Sequence, residues 1–162
     1  MQIHMLGEVT AFVVGKILDA LPAFLLRFVF SPKKVASQIR IRLRDEKPII
    51  PNLNSEVPGV DLYFDITNLS NFNITLDRLL IDLWFGQSTV KGTLLRRFEL
   101  PARSISKVIT FGTDLTQAQC RQITQFLNSQ GARGRIHLYV TGYFESKIGV
   151  IEVETNFERG GL

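Results

Sequence analysis

The chain has 162 residues, 45% of them apolar, and carries 19 basic against 15 acidic side chains for a net charge of +4. That size and apolar content suit one packed domain with an appendage and exclude a disordered chain. The excess charge lies entirely in the first 47 residues, with eight bases and four acids there and eleven of each afterwards, so the body has no basic excess with which to bind nucleic acid.

The N-terminal segment is dominated by an apolar run from Val9 to Phe30, with Lys33 and Lys34 directly after it. Twenty-two residues at ~1.5 Å each are long enough to cross a bilayer. Thirteen Leu, Ile, Val and Phe in the run favour insertion by roughly 4 to 8 kcal/mol, while Lys16 and Asp19 oppose it by about 5 to 7 kcal/mol, so a lone span is marginal. On a helical wheel Glu8, Lys16, Asp19 and Arg27 share one sector. Val13, Val14, Ile17, Leu21, Phe24, Leu25 and Phe28 occupy the other half and form the expected membrane-anchor face. Pro22 kinks the helix or splits it.

Two arrangements satisfy this pattern. The segment lies in the interface with its charges hydrated, or it spans with Lys16, Asp19 and Arg27 turned toward a membrane protein partner. A soluble core helix is a third, weaker alternative. Lys33 and Lys34 are expected to contact anionic lipid. A spanning helix with this basic flank would leave the following domain on the cytoplasmic side. No base precedes Lys16 and no small-residue cleavage site follows the run, so the segment does not read as a cleaved signal peptide.

From Val35 the pattern changes to period two. In the strand 38–44, Ile39, Ile41 and Leu43 face a core while Arg40, Arg42 and Arg44 face outward. Residues 45–58, with Pro48, Pro51 and Pro58, read as a loop. Val60, Leu62, Phe64 and Ile66 form the next inward face, and 68–73 is a turn rich in Asn and Ser. Residues 74–85 form a long strand bulged near Asp77–Arg78, turning at 86–88 into a strand over 89–100. A further strand runs from Ser104 to Phe111. Leu115, Gln119, Cys120, Ile123, Phe126 and Leu127 then recur at helical spacing, with Thr116 as N-cap and Gly131 past the end. Strands 135–144 and 146–157 close the chain. The expected fold is mainly β: an immunoglobulin-like antiparallel β-sandwich of about seven strands with one helix before the last strand pair, preceded by a membrane-associated helix. The expected division is an anchor with its basic flank over 1–34 and the sandwich over 35–162.

This order resembles the late embryogenesis abundant type-2 domain, also called the water-stress and hypersensitive-response domain. Four features carry the resemblance: the strand Val60–Thr67 running into Asn68-Leu69-Ser70-Asn71-Phe72; the hairpin carrying Gly92; Leu100-Pro101-Ala102-Arg103-Ser104 ahead of a strand; and the helix before a strand containing Val140-Thr141-Gly142. Leu69 departs from the family's usual proline. The resemblance implies an immunoglobulin-like sandwich, frequently on an N-terminal membrane segment, without a catalytic site. It also implies roles in stress protection, lipid or hydrophobic-ligand contact, or protein interaction.

Catalytic chemistry finds little to work with. The two histidines, His4 and His137, and the lone Cys120 offer no metal-ligand cluster, and no cofactor or metal is expected. Cys120 reads as a buried structural thiol. Asp61 and Asp65 share a strand face roughly 13 Å apart, too far to act as a carboxylate pair. Glu152 and Glu154 read as cross-strand partners of Arg or Lys. Residues 131–135 read as a helix-to-strand turn in preference to a phosphate loop, and the sequons at Asn68 and Asn73 as coincidences of an Asn-rich turn. Two functions from different classes remain. The leading one is a non-enzymatic membrane-anchored accessory or structural subunit of a larger membrane protein assembly. The alternative is a lipid or hydrophobic-ligand binding, stress-protection protein.

Overall fold

The computed structural model describes residues 14, 17, 18, 20–44, 49, 51–130 and 134–160, apart from the side chains of 105, 106 and 160. Alternation at period two dominates these residues, and the chain answers it with two antiparallel sheets. One contains β1 (Ile39–Leu43), β2 (Pro51–Asn52), β3 (Gly59–Asn68) and β6 (Ser104–Asp114), with β3 central. The other has the order β5-β4-β7-β8, built from β4 (Ile74–Phe85), β5 (Ser88–Leu100), β7 (Arg135–Ser146) and β8 (Gly149–Gly160). Eight strands thus stand among the described residues where about seven were expected. The additional one, β2, is a two-residue pairing of Pro51–Asn52 with Gly59–Val60, within the Pro-rich stretch read as a loop.

The inward faces are those the alternation marks. Ile39, Ile41 and Leu43 of β1 and Val60, Leu62, Phe64 and Ile66 of β3 are buried against Leu76, Leu79, Ile81, Leu83, Leu138, Val140 and Phe144 of the second sheet. The register of β4 against both neighbours shifts between Leu76 and Arg78, at the expected bulge. The hairpin into β5 turns on Gly86, whose φ of 60° suits the first position of a two-residue turn. Two motif glycines are explained by packing. A Cβ on Gly92 would lie 2.1 Å from the Phe111 ring, and one on Gly142 would meet Phe144 and Ile41. Both positions give up a side chain so that aromatic rings fill the space between the sheets.

The helix α3 (Gln117–Gln130) connects the sheets. Thr116 caps it: its Oγ1 accepts from the Gln119 amide at 3.3 Å, and the Gln119 side chain accepts from the Thr116 amide at 2.9 Å, a reciprocal capping box. Ile123 is buried and Phe126 stacks edge-on against Phe85. Cys120 is half-buried beside this helix's contact with the sheet, short of the full burial expected of it. Gly131, the expected helix stop, and the 131–133 part of the following turn lie outside the described residues.

Between Pro22 and β1 stand two short helices. They are α1 (Ala23–Val29) and α2 (Pro32–Ala36). Pro22 stands at the N-cap of α1 with extended backbone, so it marks a helix boundary, as its missing N–H and fixed φ favour. Ser31 caps α2 through its Oγ, which accepts from the Lys34 amide at 3.2 Å. The expected boundary between 34 and 35 falls inside α2, whose Val35 is buried and whose helix packs on β8. N-terminal of it, Leu26 is 2% exposed and Phe30 meets Phe72 edge-on at 4.9 Å. Leu26→Ala is therefore expected to cost about 2–3 kcal/mol, against almost nothing for Phe28→Ala on the outer side. Urea melts followed by circular dichroism measure the difference, and equal midpoints would show that α1 is not part of the packed domain.

Candidate functional site

Around the axis of α1, Leu26 defines the inner pole. Phe24 and Phe28, two positions before and after it at about 100° per residue, fall roughly opposite. Their exposures of 61% and 88% match that placement. Ile17, Leu21, Leu25 and Val29 are exposed as well, as is Val14. Seven large apolar side chains therefore extend over one N-terminal segment without cover. Lys33 and Lys34 are exposed on the next helix.

The ridge is held from behind. Arg27 lies on the side of α1 between the inner and outer poles, and its Nε donates to the Ile148 carbonyl at 3.0 Å, in the turn joining β7 to β8. Leu26 and the Phe30–Phe72 contact anchor the same segment to the end of the sandwich. Phe24 and Phe28 are thus presented outward by a helix fixed on its opposite face, an arrangement fit to enter an apolar phase without unfolding the domain.

The sequence-derived site residues divide accordingly. Val14, Ile17, Leu21, Phe24, Leu25 and Phe28 are exposed, and Lys33 and Lys34 flank them. Val13, Lys16 and Asp19 lie outside the described residues. Arg27, expected to face a partner or the interface, is engaged within the chain by Ile148. Val29, Leu18, Leu26 and Phe30 were not singled out. Val29 belongs to the exposed ridge, while Leu18 and Leu26 are buried. Leu26 falls at the edge of the charged sector on the helical wheel, and in the structure it is buried against the sandwich.

The spanning arrangement finds no support among the described residues. No helix among the described residues is long and apolar enough to cross a membrane. The seven residues of α1 extend about 10 Å, a third of a bilayer's hydrocarbon thickness. Pro22, at the N-cap of α1, divides the apolar run.

Other sequence features have structural explanations. Asn68 of the first sequon is fully buried and hydrogen-bonded, which removes it as a glycan acceptor. The Leu69 amide donates to the Gln38 carbonyl at 2.9 Å and extends the β1–β3 pairing. A proline there could not make that bond. Asp65 faces Arg44 at 3.8 Å. Glu152 takes its hydrogen bond from Tyr143, its cross-strand neighbour, at 3.2 Å and not from the Arg or Lys expected. A shallow cleft of about 350 Å³ between α3 and the 53–54 segment is lined by Leu53, Asn54, Cys120, Arg121, Thr124 and Gln125. Among the described residues no group of three or more His, Cys, Asp or Glu side chains converges.

No family model matches the chain, and no curated protein does. Solved structures do. An X-ray structure of a Northeast Structural Genomics Consortium target is similar over 78% of this chain and 89% of its own, at 15% identity and a TM-score of 0.53. A crystal structure of a protein from Archaeoglobus fulgidus matches over 76% of this chain and 97% of its own, at 12% identity and a TM-score of 0.46. The solution structure of a proposed late embryogenesis abundant protein matches over 96% and 88%, at 12% identity and a TM-score of 0.42. At 15% identity, the likeness to the first of these is a likeness of fold: a two-sheet antiparallel sandwich with a helix before its last strand pair.

Proposed function

We propose that this is a non-enzymatic lipid-contacting β-sandwich, of the late embryogenesis abundant type-2 kind, that lies on a membrane surface without crossing it. The observation that carries this is the pair Phe24 and Phe28, 61% and 88% exposed on a helix whose inner face is locked to the domain. Moving such side chains out of water contributes roughly 1.5–3 kcal/mol each when burial is complete. Lys33 and Lys34 add about 1 kcal/mol each near an anionic surface. An interfacial helix entering ~5–10 Å would take up the ridge while the sandwich stays in water. Leu62, Phe64, Leu83, Leu138 and Phe144, the residues that would line an internal ligand cavity, are all buried in one core cluster. We therefore place hydrophobic contact on the outside of the domain and not between its sheets. For a helix lying on the surface the positive-inside argument does not apply. The lysine pair supports the cytoplasmic, anionic leaflet only through lipid charge.

Vesicle co-sedimentation of the full chain tests this. Binding is expected to phosphatidylcholine vesicles and more strongly to vesicles containing phosphatidylserine. Phe24→Ser with Phe28→Ser is expected to abolish both. Lys33→Glu with Lys34→Glu is expected to remove only the gain from phosphatidylserine. Failure of the parent chain to bind either vesicle would overturn the proposal and return priority to the accessory-subunit role. That role rests on the charged stripe of Lys16, Asp19 and Arg27, of which Arg27 also bonds the Ile148 carbonyl within the chain.

A further inference from the structure

The outer face of the β5-β4-β7-β8 sheet is uncovered by any described residue of the chain, and its two edge strands differ in charge. The registers align four residues across it at each level. Thr89, Trp84, His137 and Glu158 form one row; Lys91, Asp82, Tyr139 and Asn156 the next. Thr93, Leu80, Thr141 and Glu154 follow, then Leu95, Arg78, Tyr143 and Glu152. Down the middle, Trp84, Leu80 and Tyr139 are exposed, and Leu95 is exposed at the margin. The β8 column presents Glu152, Glu154 and Glu158 with no base among its outward residues. The β5 column presents Lys91 and Arg97, with Glu99 at its far end. Lys91, Arg97 and Glu158 pair within the sheet with Asp82, Glu145 and Arg135, yet their side chains remain 69%, 65% and 47% exposed.

We propose that this face is the interface of a homodimer, two copies stacking sheet on sheet about a two-fold axis parallel to the strands. That axis reverses the strand order of the second copy, so β8 of each copy lies over β5 of the other, acid over base at both margins. Levels along the strands are preserved. Lys91 of one copy then meets Asn156 of the other, with Glu154 and Glu158 on either side. Leu80, Trp84 and Tyr139 occupy the centre around the Asp82 that pairs with Lys91, and interfaces concentrate aromatic side chains there. Four strands at ~4.8 Å spacing and about eleven residues at ~3.4 Å give a face of roughly 19 by 37 Å, near the ~800 Å² per partner of a standard interface. The opposite sheet offers no such centre: its outward residues, Arg40, Arg42, Asp61, Asp65 and Thr110 among them, are largely polar or charged.

The same axis has a consequence for α1. The helix is fixed near the β7–β8 turn and the β3–β4 turn, through Ile148 and Phe72. A rotation about the strand direction leaves that end in place, so both ridges sit at one end of the dimer. The dimer itself does not depend on what the ridge binds.

Sedimentation equilibrium of the full chain carrying Phe24→Ser and Phe28→Ser, which removes the ridge as a route to association, reads the mass directly. It is expected to rise from 18.3 kDa toward twice that over roughly 1–100 µM, the weak end of the range for interfaces of this size. Lys91→Glu with Arg97→Glu, and separately Glu154→Lys with Glu158→Lys, are each expected to weaken association at least ~10-fold by setting like charges at both margins. An equimolar mixture of the two variants is expected to dimerise again, because both margins then pair opposite charges. Trp84 is the single tryptophan of the chain and gives a second readout without any change to the sheet. Its emission is expected to shift to the blue, and its quenching by iodide to fall, as concentration rises. A chain that stays monomeric throughout, a mixture that fails to re-form the dimer, or a dimer whose Trp84 emission is unchanged would each overturn the proposal.

Discussion

Replacing Asn68 by alanine is expected to destabilise the domain by about 3–5 kcal/mol, although the residue touches neither the ridge nor the sheet face. Its side chain is fully buried at the end of β3, and its amide shares two donor hydrogens and one acceptor oxygen among five partners. Nδ2 donates to the carbonyls of Phe72 at 2.8 Å, Leu100 at 3.1 Å and Pro101 at 2.9 Å. Oδ1 accepts from the Ser70 amide at 3.0 Å and the Ser70 hydroxyl at 2.7 Å. One amide thus fastens the β3–β4 turn to the β5–β6 turn, and hence one sheet to the other. Alanine would leave several buried backbone groups without partners, each costing roughly 1–3 kcal/mol in isolation. An aspartate in its place would keep the acceptor but aim an oxygen at three carbonyls, so Asn68→Asp is expected to be no better tolerated. Asn71 is the control: it accepts only an exposed bond from Arg103 Nε at 2.8 Å, and Asn71→Ala is expected to cost no more than ~1.5 kcal/mol. Urea denaturation measures all three, and similar midpoints for the two alanine variants would disprove the fastening role.

The second large effect is expected at Phe64. It is fully buried on β3, between Leu43 of β1 and Ile109 of β6, and directed at the opposite sheet. Phe64→Ala is expected to cost roughly 3–5 kcal/mol, the transfer and cavity terms combined. Asp65 is its neighbour on the outward side, with a half-buried pairing to Arg44 at 3.8 Å. Asp65→Ala is expected to cost less than ~1 kcal/mol. Thermal melts of the two variants give the contrast, and equal losses would place the strand in the wrong register.

Much of this architecture was legible in local pattern. Alternation identified the inward residues of β1 and β3 because a strand's side-chain period is two and one face must leave water. The Thr116 cap and the Asp77–Arg78 bulge were legible for the same local reasons, being properties of a few consecutive residues. The role of Asn68 was not. Its turn was recognised by composition, but its bonds reach Leu100 and Pro101, more than thirty positions away. Gly92 was visible as a motif residue, while its reason, the Phe111 ring from the other sheet, is a contact between strands that only the fold brings together.

For the candidate site the division falls differently. The order of apolar and charged residues by itself determined that the N-terminal segment is amphipathic, that Phe24 and Phe28 share a face, and that Lys33 and Lys34 stand beside it. It also determined the strands other than β2 and the helix before the last pair. The tertiary structure alone decided that Pro22 begins a separate helix, and that Leu26 and Arg27 are drawn onto the sandwich by the Phe72 and Ile148 turns. The physical reason is that a helical wheel ranks faces by polarity but does not say which surface lies next to each. A borderline position such as Leu26 is settled by the apolar space the folded sheets leave at their end, and a charge such as Arg27 by the nearest unpaired carbonyl.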